Sequence, residues 1–146
     1  MKYNQKNKTI VLLILIILLG TFLRLAYLNA SPMWFDETIS SLASEKITEK
    51  GIPVFDSGLF YNRALLFHYL QAFFLLFDAS DFNARIISVI FGLFTIILAY
   101  YIGKEYDASV GIISALFTAV FFLEVAYSRQ ARFYQILHSY KNREQL

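Results

Sequence analysis

The run Thr9-Ile-Val-Leu-Leu-Ile-Leu-Ile-Ile-Leu-Leu-Gly-Thr-Phe-Leu-Arg-Leu-Ala-Tyr-Leu28 leaves a water-soluble fold little room. As a helix it is about 30 Å long, the thickness of a bilayer's hydrocarbon core. A lone segment in lipid must satisfy its own backbone, so it must be helical. Two later blocks have the same character. Arg85 through Ile102 is closed by Gly103-Lys104-Glu105, and Ala108–Tyr127 is opened by Asp107. The pattern predicts an all-α membrane protein with about three transmembrane helices.

Composition agrees. Charged residues make up 16% of the chain, against about 25% in soluble domains. Ten Tyr and fifteen Phe suit helices that face lipid and end at its interfaces. The net charge of +2 is scattered, so no basic patch invites nucleic acid. The absence of Cys excludes disulfides, thiolate chemistry and Cys-based zinc sites. His68 and His138 have no ligand-like spacing.

Lys2, Lys6 and Lys8 precede the first apolar run, as in a signal peptide. The run is longer than the usual 7–15 residues, and Leu28 stands at −3 of the only plausible cleavage site, Ala30-Ser31. The expectation is an uncleaved anchor in a multi-pass plasma-membrane protein, its N-terminus cytoplasmic by the positive-inside rule. Arg24, near the outer end, is expected to snorkel to the headgroups.

The chain divides into span 1 (9–28), an external loop (29–82), span 2 (83–103), span 3 (108–127) and a tail (128–146) holding a second external loop. Within the first loop, 36–50 carries Ile39, Leu42, Ala43 and Ile47 at helical period, stopped by Gly51 and Pro53. That helix is too polar to span and is expected on the membrane surface, stripe down. Residues 64–77 form a second interfacial helix on which His68 and Gln71 share a face as structural hydrogen-bonding groups. Extended back to Gly58, this segment could just span. The resulting four-span count satisfies the positive-inside rule better, because it puts the basic tail inside. Three spans instead put Asp36, Glu37, Arg85, Arg129 and Arg132 on one side.

Asp36 and Glu37 stand at the mouth of the first span, where an acidic pair is costly near lipid and needs a reason. One reading is a helix cap, with Asp36 accepting an orphan N–H and Glu37 complementing the dipole. The other is a general base, or a ligand for a divalent ion, at a water–lipid boundary. No other acid is clearly placed to complete a metal shell.

Four strings occur in order between the apolar blocks: Pro32-Met-Trp-Phe-Asp-Glu-Thr-Ile39, Ser57-Gly-Leu-Phe-Tyr-Asn-Arg63, Phe82-Asn-Ala-Arg-Ile-Ile-Ser88 and Tyr127-Ser-Arg-Gln-Ala-Arg-Phe-Tyr134. They resemble the GT-C glycosyltransferases, in the branch containing protein O-mannosyltransferases and lipid A aminoarabinose transferases. The resemblance runs from about residue 10 to about 137. It implies a polytopic helical bundle that transfers a sugar from a polyprenyl- or dolichyl-phosphate donor at the external face. It also implies that Asp36 is the catalytic base and Glu37 its companion. The leaving lipid phosphate needs cations, for which Arg63, Arg85, Arg129 and Arg132 are candidates. Tyr61 and Tyr134 could line the pocket. Each of these residues has a plainer reading, as an interfacial snorkeller or belt aromatic.

Full members of that group carry many more spans. This implies that the chain is a fragment of a larger polytopic bundle, with a second polypeptide as one source of the missing helices. Two further readings compete with the transferase: a non-catalytic membrane protein acting as an assembly or interaction subunit, and a transporter fragment using Glu124 and His68. The absence of helices broken by Gly or Pro argues against the transporter.

Overall fold

The computed structural model describes residues 2–132, with side chains from Asn7 onward. It contains six helices: α1 (Lys2–Leu25), α2 (Phe35–Lys50), α3 (Leu65–Leu75), α4 (Asp81–Lys104), α5 (Ala108–Val120) and α6 (Phe122–Ser128). Among the described residues there is no strand beyond one isolated antiparallel bridge, Val54 to Phe60. The chain is an all-α membrane protein. Two helices, Asn7–Leu25 within α1 and all of α4, are long and apolar enough to cross a bilayer. A third crossing is available if α5 and α6, bent by 58°, count as one span. α3 reaches only about 16 Å and is too short to cross, so the fourth span of the alternative count has no helix to carry it.

The chain forms two compact units. The first holds residues 1–26 and 89–126. Its core is Ile16, Ile96, Tyr100, Ala115 and Ala119, drawn from α1, α4 and α5. Ile10, Leu15, Leu18, Phe22, Leu98 and Phe117 point outward, as lipid-facing side chains should. α4 and α5 cross very closely. A Cβ on Gly111 would lie 2.9 Å from the Tyr100 carbonyl, and one on Gly103 would lie 2.9 Å from Gly111 Cα. Only glycine permits that approach. Asp107 opens α5 as an N-cap, accepting from the Ser109 N–H at 2.8 Å.

Two expectations for this unit are corrected. The third apolar block is not a continuous helix: Phe121 is extended (φ −61°, ψ 121°) and divides it. Arg24 does not snorkel. It is fully buried, and its guanidinium donates to the carbonyls of Gly20 (3.2 Å), Ala119 (3.0 Å) and Thr118 (3.3 Å). The two facts are one device. The break strands carbonyls in the last turn of α5, and Arg24 supplies the donors.

Of the described residues, the second unit holds 27–88 and 127–132. Here α2 packs on α3, with Gly51 closing α2 in a left-handed turn (φ 75°). The buried face of α2 differs from the expected stripe. Glu37, Ser40, Ser41, Ala43, Ser44 and Ile47 are buried, while Leu42 is exposed. Half of the packed face is serine, and Ser44 meets His68 and Gln71 of α3. Leu75, Ala84 and Ala131, with Met33, form a small apolar cluster beside them.

Candidate functional site

The site begins with how α2 starts. The helix opens at Phe35, so Trp34 is the N-cap and Asp36 lies within the first turn. Glu37 reaches back to accept the Trp34 N–H at 3.0 Å, the returning half of a capping box. The capping role read for Asp36 therefore falls to Glu37, which leaves Asp36 free to face outward.

Glu37 does far more than cap. It is 1% exposed and faces Arg85, itself 3% exposed, from α4. Arg85 Nε donates to Glu37 Oε1 at 3.1 Å and Arg85 Nη2 to Oε2 at 3.2 Å, a fork-on-fork pair. Arg85 Nη1 donates to the carbonyls of Leu28 (2.6 Å) and Ser31 (3.1 Å). Glu37 Oε1 also accepts the Ala131 N–H at 2.7 Å. One carboxylate and one guanidinium thus join the exit from α1, the start of α2, the start of α4 and the segment after α6. A buried ion pair is tolerable only when its remaining lone pairs and protons are met in this way.

Asp36 sits differently. Its side chain is 52% exposed, and Oδ2 takes Arg132 Nη1 at 2.7 Å, with Arg132 20% exposed. Holding the Ala131 N–H on Glu37 is what delivers Arg132 to Asp36. The neighbouring carboxylates therefore take different cations, one pair sealed and the other open. A sealed pair can orient; an open one can meet substrate and exchange protons.

The other expected residues make contacts away from the acidic pair or lie on the surface. Arg129 Nη2 donates to the Tyr27 carbonyl at 3.0 Å, and Tyr27 holds a left-handed backbone (φ 56°). Tyr61 packs edge-on to His68 with ring centres 5.3 Å apart, and Arg63 is exposed at the entry to α3. Tyr134 lies outside the described residues. Among the described residues no group of three or more His, Asp or Glu is placed to hold a metal ion.

His68 and Gln71 have the structural hydrogen-bonding role expected of them; sequence reasoning misses their partner, Ser44. All three are fully buried in one hydrogen-bonded chain between α2 and α3. The only sequence signal is the shared face of His68 and Gln71. Burial lowers the His68 pKa from its ordinary value, against hydrogen bonds at Gln71 and Ser40 that favour the charged form.

No curated protein and no solved structure matches the chain. Residues 62–138, more than half of its length, match the family model of dolichyl-phosphate-mannose-protein mannosyltransferases. The matched stretch contains Arg85, Ala131 and Arg132, the groups that Asp36 and Glu37 hold. The chain belongs to the dolichyl-phosphate-mannose-protein mannosyltransferase family.

Proposed function

We propose that this chain is a module of a membrane glycosyltransferase that moves a sugar from a polyprenyl- or dolichyl-phosphate donor to a hydroxyl acceptor. In this reading Asp36 is the general base. It takes the acceptor's proton as the oxygen attacks the anomeric carbon. The bond from that carbon to the phosphate oxygen breaks, and the lipid phosphate leaves with the electron pair. One displacement inverts the sugar. Arg132, already beside Asp36, neutralises the leaving phosphate, with Arg129 and Arg63 as further cations. Glu37 and Arg85 do not touch substrate; they hold the base and its arginine in place. Tyr61 and Tyr134 are assigned to the pocket.

The observation that carries the reading is the contrast within the acidic pair. An open Asp36–Arg132 contact is built on a sealed Glu37–Arg85 pair. Three crossings, with α2 and α3 in an external loop, complete the arrangement and leave the N-terminus cytoplasmic at the plasma membrane. The test is Asp36→Asn in proteoliposomes supplied with dolichyl-phosphate-mannose. Transfer should fall by about 100-fold or more, the usual weight of a general base. Undiminished transfer would eliminate Asp36 as the base.

A further inference from the structure

A buried polar chain joins α2 to the first turn of α4 by way of α3. Its members are Ser44, His68 and Gln71. Ser44 Oγ lies 2.6 Å from Gln71 Oε1, 3.1 Å from the Ser40 carbonyl and 3.2 Å from His68 Nδ1. Gln71 Nε2 donates to the Ala84 carbonyl at 2.7 Å. Ser44 has one hydroxyl proton, and the amide oxygen is its nearest acceptor. Ser44 Oγ then accepts from His68, which puts the imidazole proton on Nδ1. His68 Nε2 is buried without a hydrogen-bond partner. As a bare acceptor it is tolerated; the other tautomer would bury an orphan N–H there, which is rarer and costlier. Every donor in the chain therefore points one way, from His68 toward Ala84.

Ala84 immediately precedes Arg85. On α2, Glu37 and Ser44 are about two turns apart on one face. The first turn of α4 is thus tied to α2 at two points: directly through the Arg85 side chain, and through Gln71 at the Ala84 backbone. A long arginine alone would let that turn rotate. A second tie on its backbone fixes the rotation, and with it the aim of the Arg85 fork at Glu37. We propose that Ser44 and Gln71 are positioning residues for the Glu37–Arg85 pair, and through it for Arg132 at Asp36. The geometric half is independent of catalysis; its effect on sugar transfer rests on Asp36 being the base.

Three substitutions in the full chain test this. Gln71→Met keeps the shape and removes both polar contacts. Ser44→Ala removes the hydroxyl, and Ser44→Thr retains it. The Ala131 N–H is held by Glu37 Oε1, so its hydrogen exchange reads the pair with no assay of transfer. Exchange should rise about 10-fold in Gln71→Met and Ser44→Ala, the weight of one buried hydrogen bond, and stay protected in Ser44→Thr. In transfer assays the first two variants should lose kcat while KM for the lipid-linked donor holds, a split that general loosening does not produce. Unchanged Ala131 exchange in a helical Ser44→Ala protein overturns the proposal, as does failure of Thr to rescue it. Raised exchange with transfer unchanged in Gln71→Met and Ser44→Ala would support the positioning of the pair and retire the assignment of Asp36 as the base it serves.

Discussion

Adjacent acids rarely have the same job, and here burial divides the labour. Glu37 accepts from Trp34, Arg85 and Ala131, all inside one unit. Removing its charge strands a buried guanidinium. Glu37→Gln should therefore destabilise the protein by about 3–5 kcal/mol, read as a fall in thermal midpoint in detergent. Asp36 faces solvent in a half-exposed pair, and such pairs contribute about 0–1 kcal/mol. Asp36→Asn should leave the melt nearly unchanged; equal losses from the two variants would abolish the distinction. His68 adds a pH dependence. Its folded pKa lies below the ordinary 6.5 because it is buried. Between those values the unfolded chain binds more protons, so stability falls as pH drops through that window and is level above it. Melts from pH 7.5 downward should show this slope, and His68→Gln should flatten it. The acidic pair itself was visible in the sequence as an oddity needing a reason. Its division into sealed and open members was not, because Arg85 is 48 residues and Ala131 94 residues away from Glu37.

At the scale of elements, what could be read and what could not follow from one distinction. α1 and α4 were legible because length and apolarity alone specify a crossing. α2 was legible in extent, from Gly51 and Pro53, but not in orientation. Periodicity singles out Ile39, Leu42, Ala43 and Ile47; packing buries Ala43 and Ile47 but leaves Leu42 exposed and buries Ser40, Ser41 and Ser44 instead. A polar face can be buried when a specific partner satisfies it, and His68 and Gln71 lie on another helix. Arg24 misled for a related reason. An arginine near a helix end usually snorkels, yet here a break at Phe121 in α5 offers it carbonyls instead. Arg24→Met should then destabilise the bend by roughly 1–3 kcal/mol for each carbonyl left unmet, measured by denaturation in micelles. Arg24→Lys should recover only part of the loss, since one ammonium lacks the guanidinium's fixed fork.

For the whole molecule the testable quantity is sidedness. In the three-crossing arrangement the loop after α2 and the segment following Arg132 share a face of the membrane. A membrane-impermeant label should modify cysteines introduced at Ser57 and at Gln135 equally in intact cells. Labelling at only one of them would break the arrangement that brings Arg132 to Asp36.

The Ala131 N–H on Glu37 has a further consequence, in time rather than space. Glu37 leaves the ribosome long before its last partner exists. Until residue 131 has been made, the acid has Trp34 and Arg85 at most, and Asp36 lacks Arg132. The site is thus completed only once the residues that follow α6 have been made. Nonsense or frameshift changes shortly before Ala131 should spare insertion of α1 and α4 and still leave the acidic pair unassembled. Membrane insertion and site assembly are separable steps, and a chain can pass the first without reaching the second.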